Sequence, residues 1–339
     1  MDYKKGWITL NRACNMRCKW CYAKDTGYKR EDDMDFKMAR DLVDIYATLR
    51  LRHITLIGGE PTLYPHLFDL LEYARTKNMR CGFLSNGLKY EDKEFVRGLY
   101  DRNMTNFSIS LKGCGRKSFL ETTGIDAYDR VLTGIKNCLE TDGNVVVFFV
   151  LSEYNIDTLL ECLAELTQIG VKKFRFSFVY NFDLSGDYKG YLERHDPHII
   201  IEKFKALYPE IHRLTCGNFK VFPTFPACVW GADFIKTLND NLQLSSGCQL
   251  HDRDDLMFDS HGYLIPCNAM YEIKMGRLYE DFTTAEELKL YSDSERVQSV
   301  YDRYGREPSS KCSACADKSL CCACACQWSN YSFEQLTGN

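Results

Sequence analysis

Two periods of apolar residues alternate along residues 6–179. Short runs rich in β-branched and aromatic residues are typical of buried strands, and longer runs with an apolar residue every three or four positions are typical of helices. The pattern therefore indicates an α/β fold. The predicted strands are 7–10, 53–57, 80–85, 106–111, 144–151 and 173–179. The clearest helical runs are 36–49, 128–139 and 156–166.

Six strands that alternate with helices predict right-handed βαβ units and a parallel sheet. The span is about 180 residues, shorter than the roughly 250 of a closed eight-stranded barrel, so we expect an open, partial (β/α)6 barrel. After residue 179 the alternation stops: a loop, one more helix at 197–208 and a hairpin at 256–266 are predicted. We place a domain boundary near residue 210, with the barrel in 1–210 and a cysteine-rich domain in 211–339.

Composition and charge exclude several classes of protein. Apolar residues make up 45% of the 339 residues and charged residues 27%, which is ordinary for a soluble globular chain. No apolar run is long enough to span a membrane, and the N-terminus lacks the apolar core of a signal peptide, so a cytoplasmic protein is expected. The formal net charge of −4 argues against a nucleic-acid partner.

Cysteine is the unusual feature of the composition. The chain has 17 cysteines, three of them within residues 14–21 and ten between residues 216 and 326. Disulfides are rare in a reducing compartment, and clustered cysteines there indicate metal binding or redox chemistry.

The first cluster is Cys14-x3-Cys18-x2-Cys21, directly after the first predicted strand. Ligands bind at the carboxyl ends of strands in parallel α/β folds. Three thiolates can hold one metal centre, but zinc sites and iron–sulfur clusters usually take four protein ligands. Either a bound cofactor fills the fourth position, or a zinc loop takes a distant fourth cysteine.

Polar residues follow the next strands at the same predicted edge. Paired glycines let a ligand approach the backbone, and a carboxylate at a strand end can accept hydrogen bonds from an ammonium group. Several such strand ends together describe a site at the mouth of the barrel. The residues are Gly58, Gly59, Glu60 and Pro61 after the second strand, Ser85 and Asn86 after the third, and Ser110 in the fourth.

These motifs, in this order over residues 7 to about 180, resemble the radical S-adenosylmethionine (SAM) enzymes. The resemblance implies that Cys14, Cys18 and Cys21 hold a 4Fe–4S cluster whose fourth iron is chelated by SAM. It also implies that Trp20 fills the usual aromatic position and that Gly58, Gly59 and Glu60 contact the SAM amino group, with Pro61 in the same cofactor site. Ser85, Asn86 and Ser110 are the matching candidates to contact its ribose and carboxylate. Lys112 departs from the pattern, because many relatives have an aspartate there. It either meets a carboxylate of SAM or substrate or is a solvated loop residue.

The later cysteines resemble the SPASM domain, which binds two auxiliary 4Fe–4S clusters in peptide-modifying relatives. Cys248-x13-Gly262-x4-Cys267 and Cys312-x2-Cys315-x5-Cys321 match that pattern. The end does not match: Cys322, Cys324 and Cys326 follow at once, and no cysteine comes later. Either one of these replaces the missing distal ligand, with Cys324 and Cys326 our candidates, or the second site is incomplete. Cys228 is expected as the upstream ligand of the first auxiliary cluster, with Cys216 the weaker candidate. A zinc ribbon at Cys312 and Cys315 is the alternative.

The resemblance implies that an electron, supplied by a flavodoxin- or ferredoxin-type donor, cleaves SAM to methionine and a 5′-deoxyadenosyl radical that abstracts hydrogen from substrate. A ribosomally made peptide is the expected substrate, for crosslinking, epimerisation or side-chain oxidation, and no catalytic residue is assigned. The alternatives are a small-molecule dehydrogenase, a sulfatase-maturation-like oxidase, or an iron–sulfur electron carrier without chemistry of its own.

Only 13 residues precede Cys14, so we expect leader recognition by a separate small protein, or a short substrate that enters the open side of the barrel by edge pairing.

Overall fold

The computed structural model describes residues 3–21, 29, 31–179, 197–245, 247–305, 310–316 and 318–321. Its strands are β1 (Lys5–Asn11), β2 (His53–Gly58), β3 (Arg80–Ser85), β4 (Asn106–Leu111), β5 (Asn144–Leu151), β6 (Phe174–Phe178), β7 (Phe219–Val221), β8 (Asp255–Phe258), β9 (Tyr263–Leu264) and β10 (Gly276–Arg277). Its α-helices are α1 (Phe36–Thr48), α2 (Leu67–Thr76), α3 (Lys93–Asp101), α4 (Arg116–Thr123), α5 (Tyr128–Leu139), α6 (Leu159–Gln168), α7 (Pro197–Thr215), α8 (Ala227–Trp230), α9 (Ala232–Asp240), α10 (Gln249–Asp252), α11 (Ala285–Ser292) and α12 (Glu295–Tyr304).

One sheet runs through the described molecule in the order β10-β9-β8-β1-β2-β3-β4-β5-β6-β7. Strands β1 to β7 are parallel to their neighbours, and this series contains all six predicted strands. The partial barrel of class α/β is thus confirmed. Because parallel strands need long crossovers, the helices between them pack their apolar sides on the sheet.

Helix α1 shows how the layers are joined. Its apolar residues at spacings of three and four are buried, among them Leu42 and Tyr46. The Tyr46 hydroxyl donates to the carbonyl oxygen of Trp7 in β1 at 3.0 Å and lies 3.3 Å from that of Leu256 in β8. A single buried side chain therefore ties the helix to two neighbouring strands.

The helix predicted at 197–208 is longer than expected, because α7 continues through Pro209 to Thr215. Proline lacks an N–H and usually ends a helix. Here the apolar side continues past it: Ile211 is fully buried in the core, and the Thr215 hydroxyl donates to the Ile211 carbonyl. Packing in the core outweighs the hydrogen bond that Pro209 removes.

The predicted hairpin is present as the antiparallel pair β8 and β9, with His261 and Gly262 in the turn. Strand β8 also pairs in parallel with β1, and β7 pairs with β6, so strands from beyond residue 210 extend the sheet on both sides. The division at residue 210 stays a prediction. In the described ranges, no helix has the length and apolar character needed to cross a membrane.

Candidate active site and cysteine clusters

The candidate site lies where β1, β2, β3 and β4 end. All four run in the same direction, so their carboxyl ends meet at one edge of the sheet. The loop with Cys14, Cys18 and Cys21 follows β1 at this edge. The polar residues predicted at the strand ends therefore lie at the same edge of the sheet as the cysteine loop.

Hydrogen bonds from α4 hold the cysteine loop in place. The backbone N–H groups of Arg17 and Lys19 donate to the carbonyls of Thr123 and Thr122 at 2.9 and 3.0 Å. Within the loop, the N–H of Cys21 donates to the Cys18 carbonyl at 3.2 Å. These bonds fix the backbone on both sides of Cys18, which is buried.

The three thiols lie close enough to influence one another. Burial raises the pKa of Cys14 to about 11, and the charges of Glu60, Cys18 and Cys21 add to that rise. Burial also raises the pKa of Cys18, while the nearby Lys112 ammonium acts in the opposite direction. The raised pKa values of Cys14 and Cys18 favour the protonated thiols at these two positions until a metal replaces the proton.

Gly58 and Gly59 make room for the chain itself. A Cβ on Gly58 would lie 2.1 Å from the Asn11 side-chain oxygen, and one on Gly59 would lie 2.4 Å from the Ala13 carbonyl oxygen. The Gly59 and Glu60 N–H groups donate to the carbonyls of Asn11 and Ala13 at 2.9 and 2.7 Å. The glycine pair therefore lets β2 lie directly against the start of the cysteine loop, a reason that the sequence did not supply.

The Glu60 carboxylate is buried at the centre of a hydrogen-bond network. Its Oε1 accepts from the Thr62 N–H at 3.2 Å, the Thr62 hydroxyl at 2.6 Å and the Ser85 hydroxyl at 2.8 Å. Its Oε2 accepts from the Asn86 N–H at 2.8 Å. Burial raises the pKa of Glu60, although these four donors favour the charged form. Glu60 thus connects the end of β2 to the end of β3.

Asn86 extends the network to the cysteine loop. Its side-chain amide donates to the Asn15 oxygen at 2.7 Å and lies 3.9 Å from the Cys14 sulfur. Thr62 and Asn15 are site residues that the sequence analysis did not assign. Thr62 follows Glu60 by two residues, and its N–H donates to the Glu60 side chain, which caps the short 3₁₀ turn. This local motif could have identified Thr62 from the sequence. Asn15 carries no such signal.

The remaining predicted residues border the loop. The Ser110 hydroxyl accepts from the Lys112 ammonium at 2.7 Å, and both residues are at least half-buried. Lys112 is therefore anchored by Ser110 rather than simply solvated. Trp20 stacks on Tyr154 with ring centroids 6.2 Å apart, and among the described residues its buried indole N–H has no hydrogen-bond acceptor. Pro61 is buried beside Glu60 at the start of a short 3₁₀ turn.

The donor set fits an iron–sulfur cluster, because three cysteines on one turn supply thiolate ligands and leave one position open. Among the described residues, no three histidine, cysteine or acidic side chains are yet arranged to hold a metal ion. The assignment of Cys14, Cys18 and Cys21, and of the surrounding polar residues to SAM, stays a prediction.

The described cysteines of the C-terminal region form two groups. Desolvation raises the pKa of Cys228 to about 11, and the charges of Cys321, Cys312 and Cys315 add to it. Desolvation likewise raises the pKa of Cys267 to about 12, and there the neighbouring thiol is Cys248.

Cys216 lies elsewhere, between the end of α7 and the start of β7, at the amino edge of the sheet. Cys322, Cys324 and Cys326 lie outside the described residues.

Comparisons with known proteins agree with this geometry. The family described as the Radical SAM superfamily matches residues 8–176. The Fe-coproporphyrin III synthase of Methanosarcina barkeri is 30% identical over 148 residues, which are 43% of this chain and 37% of that protein. The chain spans well under two thirds of the length of the curated relatives it matches first.

Similar solved structures cover more of the chain. Streptococcus suis SuiB bound to the precursor peptide SuiA has a TM-score of 0.70 and 17% identity over 95% of this chain and 72% of SuiB. The anSMEcpe structure with bound AdoMet has a TM-score of 0.71 and 15% identity over 99% of this chain and 98% of that chain. At these identities the likeness concerns the fold, and the fold extends beyond residue 176.

Proposed function

The chain belongs to the radical SAM superfamily through residues 8–176, and from this premise we propose that it modifies a peptide. Its cofactors are those of the superfamily, SAM and a 4Fe–4S cluster. Together they supply, when bound, the radical that removes hydrogen from an unactivated carbon. The modification would be a crosslink, an epimerisation or a side-chain oxidation.

In this proposal the residues at the strand ends position the cofactors. Cys14, Cys18 and Cys21 hold the cluster, and the network around Glu60 fixes the backbone that faces the SAM amino group. From the described residues Glu60 Oε2 accepts one hydrogen bond, that of the Asn86 N–H, which leaves this oxygen capacity for an ammonium group. Ser85, Asn86, Ser110 and Trp20 border the remainder of the cofactor pocket.

The observation that carries the peptide assignment is the extent of the structural likeness. The curated relatives match only about half of this chain. SuiB, whose structure contains a precursor peptide, has the same fold over 95% of it, including the cysteine-rich region. That likeness supports a peptide substrate over a small molecule, and it supports auxiliary clusters in residues 211–339.

Edge pairing with the barrel is a less direct route for a peptide than the sequence suggested. The outer edge of β7 already pairs with residues 243–245: the Val221 N–H donates to the Gln243 carbonyl at 2.7 Å, and the Ser245 N–H donates to the Val221 carbonyl at 2.8 Å. On the other side β8 covers β1. An extended peptide would therefore meet these added segments rather than β6 or β1.

The test uses the full chain, reconstituted with iron and sulfide without oxygen, together with SAM and a chemical reductant. The probe is a synthetic peptide encoded by a short open reading frame next to the gene. We expect 5′-deoxyadenosine and a change in the peptide, seen by mass as lost hydrogen or as deuterium taken up from heavy water. Formation of 5′-deoxyadenosine with every such peptide left unchanged would favour the small-molecule alternative.

The proposal includes two protein partners. A flavodoxin- or ferredoxin-type protein would supply the electron, and a separate small protein would recognise a leader sequence if the substrate has one. Binding of the same synthetic peptide to the isolated chain tests the second partner. Submicromolar affinity that depends on the leader, without a helper protein, would contradict it.

A further inference from the structure

Cys228 lies beside the cysteines near the end of the described chain, although 84 or more residues separate them in sequence. It belongs to the short helix α8, and the N–H of the preceding residue, Ala227, donates to the sulfur of Cys321 at 3.5 Å. Backbone N–H groups that point at cysteine sulfur are a usual feature around iron–sulfur clusters.

The other cysteines are arranged on consecutive turns of one short segment. The Cys315 N–H donates to the Cys312 carbonyl at 3.2 Å, the Lys318 N–H to the Cys315 carbonyl at 3.3 Å, and the Cys321 N–H to the Lys318 carbonyl at 3.1 Å. Because the turns follow one another, the three cysteines of the Cys-x2-Cys-x5-Cys motif lie on one short segment, and Cys321 contacts α8 through the Ala227 N–H.

We propose that Cys228 is the fourth ligand of an auxiliary 4Fe–4S cluster whose other three ligands are Cys312, Cys315 and Cys321. The proposal rests on the proposed function only in taking the C-terminal region to bind auxiliary clusters. It assigns Cys228 to the site of the Cys-x2-Cys-x5-Cys motif instead of to the site of Cys248 and Cys267.

The position of α8 is rigid enough to serve a cluster. Trp230, at the end of the helix, is fully buried and packs edge-on against Phe178 of β6 with ring centroids 4.8 Å apart. It also stacks on Phe234 of α9 at 6.0 Å. Cys228 itself is exposed. The barrel thus holds one ligand in place for a segment that brings the other three.

Cys248 and Cys267 have a different setting. They flank the hairpin of β8 and β9, and Cys267 begins a short 3₁₀ turn with its carbonyl accepting from the Met270 N–H at 2.9 Å. With Cys228 assigned elsewhere, the cluster of Cys248 and Cys267 would take its remaining ligands from other cysteines of the chain.

Pairs of alanine variants in the full chain test which cysteines share a cluster. Removing any one ligand is expected to lose one cluster, about four iron atoms per chain. Removing two ligands of the same cluster loses no more than that, and removing ligands of two clusters loses twice as much. We therefore expect Cys228→Ala/Cys321→Ala to lose about four iron atoms and Cys228→Ala/Cys248→Ala about eight. Cys216→Ala is the matched control, and it should keep all of its iron.

Iron content is measured on anaerobically reconstituted protein, with Mössbauer or electron paramagnetic resonance spectra to count the clusters. The reverse result would be a loss of about eight iron atoms in Cys228→Ala/Cys321→Ala and of about four in Cys228→Ala/Cys248→Ala. It would overturn the assignment and place Cys228 in the site of Cys248 and Cys267. Unchanged iron in Cys228→Ala would overturn it as well.

Retention of the SAM-binding cluster in every variant, seen as continued SAM cleavage, excludes general misfolding. A wild-type chain with only about four iron atoms would instead contradict the auxiliary clusters themselves, and with them this inference.

Discussion

The two ends of the molecule place their cysteines by different means. In the barrel, Cys14, Cys18 and Cys21 share one loop after β1, and the strand order alone brings the ends of β2, β3 and β4 beside them. In the C-terminal region, Cys228 lies near Cys312, Cys315 and Cys321 only through packing of remote segments, which brings the Ala227 N–H to the Cys321 sulfur. A site on regular βα units is therefore built from residues that recur at successive strand ends. A site on irregular segments depends instead on contacts that form only in the completed fold.

The largest effect is expected in the local site. Replacing Cys14, Cys18 and Cys21 together by alanine should remove about four iron atoms per chain and abolish 5′-deoxyadenosine formation, because no other described loop offers three thiols at the strand ends. Iron analysis and chromatography of the nucleosides measure both effects. Cys216→Ala serves as the control, and SAM cleavage that survives in the triple variant would contradict the assignment.

The distant site should be separable from the local one. Cys312→Ala/Cys315→Ala should lose about four iron atoms while the protein still cleaves SAM, because these residues lie apart from the loop after β1. Metal analysis of the wild-type chain sharpens the comparison. About eight to twelve iron atoms per chain are expected, and a value near four together with bound zinc would support a zinc ribbon.

Substitution of Glu60 tests whether this residue of the local site contributes to SAM binding, to folding stability or to both. If its charge-assisted hydrogen bond to SAM contributes roughly 1.5–3 kcal/mol, Glu60→Ala should weaken SAM binding about ten- to a hundredfold. The structure adds a second expectation, because the same change leaves the buried donors of Thr62, Ser85 and Asn86 without their acceptor. Unchanged SAM affinity in folded protein with an intact cluster would refute the binding role.

Glu60→Gln removes the charge of the side chain while keeping its shape, and so shows how the ionisation of Glu60 makes folding stability depend on pH. Burial raises the pKa of Glu60 above its ordinary value near 4.5. The associated stability is present below that value and is lost as the pH rises through the raised pKa, because ionisation then occurs more easily in the unfolded chain. The stability advantage of the wild type over Glu60→Gln should therefore shrink as the pH rises above the ordinary glutamate value near 4.5, as measured by urea unfolding. A constant or growing difference would contradict this sign.

The smallest effect concerns the contact between the two regions. The Tyr279 hydroxyl donates to the Asp41 carboxylate of α1 at 2.6 Å, and Tyr279 is largely exposed. Tyr279→Phe should cost about 0.5 kcal/mol, since solvent screens the bond. Tyr73→Phe is the matched control, because Tyr73 makes the same bond to Asp44 within the barrel. Only Tyr279→Phe should increase proteolysis of the C-terminal region, and equal proteolysis of both variants would contradict the linking role.

The sequence predicted the barrel well for a physical reason. Each strand and helix is recognisable by the spacing of its apolar residues, and the rules for parallel connections leave few ways to join them. The same reasoning placed Glu60, Ser85 and Asn86 at one edge. It did not reveal that Gly58 and Gly59 accommodate the cysteine loop, because that contact joins β2 to residues more than forty positions earlier.

Local signals also misplaced the end of α7. The predicted helix ended at residue 208, just before Pro209, whereas the observed helix continues to Thr215 with Ile211 buried in the core. The neighbours of Cys228 were beyond prediction for the same kind of reason. A cysteine motif gives the spacing of ligands along one segment, and it carries no information about a ligand that another segment brings.

Transfer of deuterium from a peptide to 5′-deoxyadenosine is the most direct test of whether this radical SAM chain acts on a peptide. The reconstituted full chain is supplied with SAM, reductant and a synthetic precursor peptide deuterated at its carbon positions, and the 5′-deoxyadenosine is analysed by mass. We expect the nucleoside to gain deuterium from the peptide while the peptide is modified. Unlabelled 5′-deoxyadenosine and an unchanged peptide, from protein with its clusters intact, would contradict this expectation.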